Sequence, residues 1–127
     1  MESIIFLDTH VAIWLYSGNL ELFRSPVLKI INDNQLCISQ IVRLEIKYLN
    51  EIGRIKQQPE VIINSLVDEI GLIFSDNNIG MIITQAIHID FTRDPFDRII
   101  VADASINNSR LISKDKIIKK NYKNTIW

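Results

Sequence analysis

Five carboxylates in this chain have the types and spacing to do chemistry together: Asp8, Glu45, Asp94, Asp97 and Asp115. Acids gathered without lysine partners repel one another, and their pKa values rise unless a divalent cation compensates. Hard oxygen donors without cysteine point to Mg²⁺ or Mn²⁺ as that cation, and away from zinc. His10 and His88 lie in no metal-ligand spacing; His88, within Ile87-His88-Ile89, reads as structural, and His10 as a neighbour of Asp8.

Each acid also has a local explanation. Asp8 and Asp115 each precede a helical stretch and suit the N-cap position, where a side-chain oxygen takes a free backbone N–H. Asp94, Pro95 and Asp97 form a capping-box-like helix start, favoured by the helix dipole. Three-residue spacing still puts Asp94 and Asp97 on neighbouring parts of one face. Glu45 has less local reason to exist. At about 100° per residue, Leu44, Tyr48, Ile41, Ile52 and Leu49 form an apolar arc that encloses it. A carboxylate there needs a metal or a cationic partner from inside the fold. Asp103, about 120° around the helix from Asp97, reads as a peripheral acid.

The elements that must position these groups alternate strand and helix. Ile4–Leu7 is a continuous apolar run, the pattern of a strand buried on both faces. Leu36–Ser39, Leu72–Phe74 and Arg110–Ser113 are further strands, and Thr125–Trp127 a final edge strand. Helices are expected over Thr9–Tyr16, from Ser25 as N-cap to about Asn32, and over Ile41–Glu51, Pro59–Ile70 and Asn78–Ile87. A further helix runs from the Asp94-Pro95 start to about Asn107, and a short basic one spans Lys114–Lys120. The alternation predicts an α/β three-layer fold: a central, mainly parallel sheet flanked by helices, in one domain over residues 1–127. Such sheets place their sites at the carboxyl ends of the strands, where Asp8 and Asp115 stand.

Composition narrows the function classes. Fourteen basic and fifteen acidic residues leave a formal net charge of −1, so bulk charge does not hold nucleic acid. At 47% hydrophobic the chain has material for a core and is not disordered. The lone Cys37 excludes an intrachain disulfide and reads as a small buried hydrophobe. No segment approaches the ~20 apolar residues of a membrane span, and Met1-Glu2-Ser3 lacks the basic start of a signal peptide. The expectation is a soluble, reduced, cytoplasmic domain.

Leu7-Asp8-Thr9-His10-Val11, Trp14-Leu15, Leu44-Glu45, Arg93-Asp94-Pro95-Phe96-Asp97-Arg98, Ser113-Lys114-Asp115 and Ile126-Trp127 together resemble a PIN domain, over essentially the whole chain and in order. Within that superfamily the pattern is similar to the VapC-type ribonuclease toxins of VapBC toxin–antitoxin pairs. Thr92 stands where relatives often have histidine, and Leu44 where many have tryptophan; neither departure removes a carboxylate.

The resemblance implies a metal-dependent endoribonuclease in which Asp8, Glu45, Asp97 and Asp115 are catalytic. Together with Asp94 they would hold Mg²⁺ or Mn²⁺ and activate a water, leaving a 5′-phosphate and a 3′-hydroxyl. Thr9, Ser113, Arg98 and Lys114 would contact substrate, within a wider basic set that includes Arg43, Lys47, Arg93, Lys116, Lys119, Lys120 and Lys123. The implied partners are an RNA substrate, a cognate antitoxin and a second copy of the chain, with Trp14, Leu15, Leu22 and Phe23 serving as dimer surface or simply as core. Two other classes carry distinct signals: a receiver-like Mg²⁺-binding signalling domain, and a silent PIN-like binding module.

Overall fold

Ile4–Leu7 (β1) lies at the centre of a sheet, as a run with no polar face requires. The computed structural model describes residues 3–127; Met1 and Glu2, which lack the basic start of a signal peptide, lie outside them. Gln35–Ile38 (β2) pairs with one edge of β1, and Arg110–Ile112 (β4) with the other. Ile73–Phe74 (β3) and Thr125–Ile126 (β5) close the two sides in the order β3-β2-β1-β4-β5, every pairing parallel. Ile5 sits opposite both Leu36 and Arg110, and Leu7 opposite Ile112. From β1 the chain moves to one side through β2 and β3, then returns to the other through β4. The crevice at that reversal opens beyond Leu7 and Ile112.

Among the described residues, seven helices carry the crossovers: Thr9–Ser17 (α1), Ser25–Asp33 (α2), Ile41–Glu51 (α3), Pro59–Ile70 (α4), Ile79–Ile87 (α5), Pro95–Ile106 (α6) and Lys116–Asn121 (α7). Ile5, Leu7, Ile38, Ile46, Ile100, Leu111 and Ile112 are fully buried and form the centre of the core with the sheet. Cys37 packs among them as a free thiol, its pKa pushed up to about 12 by burial and by the charges of Asp103 and Asp76. No described helix is long and apolar enough to cross a membrane.

Three local expectations are corrected. Ser25 is the first helical residue, not the N-cap: Arg24 holds the extended cap position and offers no side-chain bond, since Pro26 already suits the first turn. The short basic helix begins at Lys116, because Asp115, not Lys114, caps it. In α3 the buried stripe is Val42, Glu45, Ile46 and Leu49, the i, i+3, i+4, i+7 pattern, while Leu44, Tyr48 and Ile52 remain about half exposed. Counting Glu45 as polar had hidden that stripe. Its inward position stands all the same.

Trp14 packs partly buried against the chain's own core, in which Phe23 is buried. Their rings lie 5.9 and 5.3 Å from that of Trp127, with Leu15 and Leu22 packed against the same core. Trp127→Ala removes both ring contacts, and stability is expected to fall by about 2 kcal/mol. The check is urea denaturation: a lower midpoint at unchanged slope. An unmoved midpoint would show that this cluster carries no stability.

A candidate acidic site at the carboxyl ends of β1 and β4

Asp8 follows β1 directly and caps α1. One of its oxygens accepts from the Thr9 backbone N–H at 2.8 Å, and the other from the Ser113 hydroxyl at 2.6 Å. Ser113 follows β4, and the same hydroxyl accepts from the Asp115 N–H at 3.1 Å. Asp115 then caps α7, taking the N–H groups of Ile117 and Ile118 on one oxygen. On α3, Glu45 accepts from the Thr9 hydroxyl at 2.5 Å. Asp94 caps α6 by accepting from Phe96 and Asp97 N–H on a single oxygen, and Asp97 rises from the first turn.

Asp8, Glu45, Asp94, Asp97 and Asp115 line one cleft of about 460 Å³, with His10, Val11, Trp14 and Lys114. Capping and site reading therefore hold together, since each cap uses one oxygen of Asp94 or Asp115. Thr9 and Ser113 are fully buried beneath the cleft, where their hydroxyls are donated to Glu45 and Asp8. Lys114 holds its ammonium 5.9 Å from the ring centres of both Trp14 and Trp127. Arg98 is not in the lining; its Nε donates to the Thr92 carbonyl at 2.8 Å and fastens the loop before α6. Arg43 and Lys47 are likewise engaged elsewhere, with Gln40 and Gln58, and Lys119 reaches the Trp127 carbonyl. Of the basic set, Lys114 alone lines the cleft.

Within the chain Glu45 is met by the Thr9 hydroxyl and by no lysine or arginine among the described residues. Among the described residues the one ion pair is Lys29–Asp33 on α2, so no lysine or arginine is paired with an acid of the cleft. Burial raises Glu45 to about 7 against the opposing Thr9 bond, with Asp8 and Asp94 adding repulsion. Burial also raises Asp97 to about 7, helped by Asp8, Asp94, Glu45 and Asp115. Asp8 is raised by burial, while the bonds from Ser113 and Thr9 and the nearby His10 pull the other way.

This donor set is all carboxylate oxygen, which suits a hard divalent cation. Such an ion would remove the repulsion that lifts Glu45 and Asp97. Among the described residues no group of three His, Cys, Asp or Glu side chains is placed to hold a metal as the side chains stand. Ser113→Ala deletes the bond that favours ionised Asp8. The expected results are a loss of about 1 kcal/mol and a further rise of the Asp8 pKa, read by denaturation and by carboxyl NMR titration. An unchanged Asp8 titration would remove Ser113 from the positioning role.

Sequence reasoning missed Trp14 as a cleft wall; His10 lines the cleft beside Asp8 as expected, and Asp103 lies outside it, as a peripheral acid should, but is buried. Asp103 is 1% exposed, within the fully packed run Ile100–Ala104, and touches Ser75 and Asn77 instead of the cleft. Its flanking Ala102 and Ala104, in a helix with no other charge after Arg98, are the signal of burial on all sides.

Comparison with known proteins agrees with the fold. The model of the PIN domain family matches residues 5–124. In fold the chain is similar to a chain in the crystal structure of VapBC2 from Rickettsia felis bound to a DNA fragment from their promoter. The TM-score is 0.66 over 98% of this chain and 96% of that one, at 16% identity. No curated protein matches the chain by sequence.

Proposed function

This chain belongs to the PIN domain family, whose members are generally nucleases that use divalent metals, and on that premise we propose that it is a Mg²⁺- or Mn²⁺-dependent endoribonuclease, the VapC-like toxin of a toxin–antitoxin pair. The observation that carries this reading is that five carboxylates line one cleft whose one lysine, Lys114, makes no ion pair with them. Asp8, Asp97, Asp115 and Glu45 would hold the ion, with Asp94 beside them. When bound, it supplies a Lewis acid for the scissile phosphate and an acidified water.

The chain's own residues do the positioning. Ser113 aims Asp8, and Thr9 aims Glu45, each by a hydroxyl donated from beneath. Substrate contact by Thr9 and Ser113 is thus replaced by a supporting role. Lys114, at the cleft edge, offers a cation to a phosphate of the RNA, and Arg98 shapes the α6 entry. An antitoxin is the proposed protein partner, by analogy with the VapBC2 complex, and the cytoplasm the proposed location.

The receiver-like alternative fails on topology. Receiver domains order their strands 2-1-3-4-5, whereas this sheet runs β3-β2-β1-β4-β5. The test of the proposal is incubation of antitoxin-free protein with a panel of cellular RNAs. Discrete cleavage in Mg²⁺ or Mn²⁺, abolished by EDTA and restored by excess metal, is expected. Absence of cleavage in folded protein that binds Mn²⁺ would favour the silent binding module.

A further inference from the structure

Away from the acid cleft, α6 carries a second buried acid whose hydrogen bonding is incomplete. Asp103 is 1% exposed. One oxygen accepts from the Ser75 hydroxyl at 2.6 Å and the Asn77 amide at 2.8 Å. The other oxygen is buried and, among the described residues, has no partner. A buried carboxylate oxygen without a donor is costly, and native structures almost always supply one. This residue also lines a groove of about 380 Å³ between α3, α5 and α6. Burial grades along it: Ser39 and Asp103 at 1% form the floor, Ile82 at 5% a wall, and Leu44 at 57% and Ile79 at 66% the rim.

We propose that this groove takes the guanidinium or ammonium group of an arginine or lysine side chain presented by a second polypeptide, with Asp103 as its counter-ion. No basic side chain of this chain lines the groove to serve as its counter-ion. A cation satisfies the free carboxylate oxygen, and the aliphatic walls match a methylene stem, the way such side chains bury beneath a charged head. A bare ion or a water would leave those walls unused. The rim argues for a polypeptide over a free amine. Helix α5 has no charged residue between Ile79 and Ile87, yet Ile79, Met81, Ile83 and Ile87 are 41–69% exposed. A helix apolar on both faces is normally covered on both. The fitting partner is therefore an apolar segment carrying one basic side chain. This assignment does not rest on the nuclease reading, since Asp103 is not among the residues of the acid cleft.

The test is an NMR titration of the full chain in saturating Mg²⁺, so that metal occupies the acid cleft, with agmatine and acetyl-Leu-Arg-Leu-amide as probes. Both are expected to give saturating shifts at Ser75, Asn77, Ile79 and Ile82, the peptide about tenfold tighter because it also covers the rim. Asp103→Asn keeps the acceptor for Ser75 and should weaken both by about tenfold or more. Leu44→Lys, at an exposed position that does not threaten folding, should do the same by placing the chain's own cation at the mouth. 1-Pentanol, with the stem but no charge, should not saturate. Shifts confined to the acid cleft, or affinities unchanged in both variants, would overturn the site. A peptide no tighter than agmatine would overturn its assignment to a polypeptide.

Discussion

Asp97→Asn is expected to lower RNA cleavage by roughly 10³-fold or more while making the metal-free protein more stable at pH 8. Both effects have one cause. Asp97 is partly buried among Asp8, Asp94, Glu45 and Asp115 and, unlike Asp8 and Glu45, gains no hydrogen bond that favours its charge. Its ionised form is disfavoured until a cation is present, which is a ligand's environment and a poor structural one. Asparagine keeps the shape, removes the charge, and relieves repulsion on its neighbours. Stability gained where activity is lost is the signature of a strained functional site. The measurement pairs a cleavage assay with thermal melts in EDTA at pH 8. Normal cleavage by the variant would remove Asp97 from the machinery, and a destabilised variant would show that Asp97 is a structural acid.

The second large effect is on pH. Glu45 and Asp97 hold their protons to about pH 7 in the folded protein, whereas in the unfolded chain they release them near 4.5 and 3.8. Between those limits the folded state binds more protons than the unfolded one, so stability falls as pH rises through the window. The protonated carboxyls support the fold fully below about pH 4, and the support is gone above about pH 7. For Glu45 alone the loss is about 3 kcal/mol. Mn²⁺ competes with those protons, so its stabilisation should be small at pH 5 and large at pH 8. Thermal melts from pH 5 to 8, with EDTA or Mn²⁺, test both slopes. A metal-free melting temperature that is flat over this range would mean that the cleft acids are already neutralised within the chain.

Much of this molecule was legible before its tertiary structure, and the legible part is what is decided within a few residues. The isoleucine run of β1 requires cover on both faces, so it becomes the central strand. Asp8, Asp94 and Asp115 stand next to free N–H groups and therefore cap helices wherever those helices go. Pro59, Pro95, Gly18 and Gly71 begin or end helices by their own backbone preferences. Asp8 and Asp115 at the strand ends, with Asp94 and Asp97, thus line one cleft from positions set by local structure. The folded chain alone decided which side of each helix meets a neighbour. Leu44 and Tyr48 look like core by composition but stay half exposed, because the stripe through Val42, Ile46 and Leu49 is the one that packs inward and takes Glu45 with it. Arg98 belongs to the same motif as Asp97 but faces the Thr92 carbonyl, and Asp103, six residues after Asp97, is buried against Ser75 and Asn77. The physical reason is range. Caps and periodicity act through bonds between near neighbours in sequence, whereas burial of a charge depends on contacts such as Thr9 with Glu45, 36 residues apart, and Asp8 with Ser113, 105 apart, which exist only once the sheet has brought those segments together.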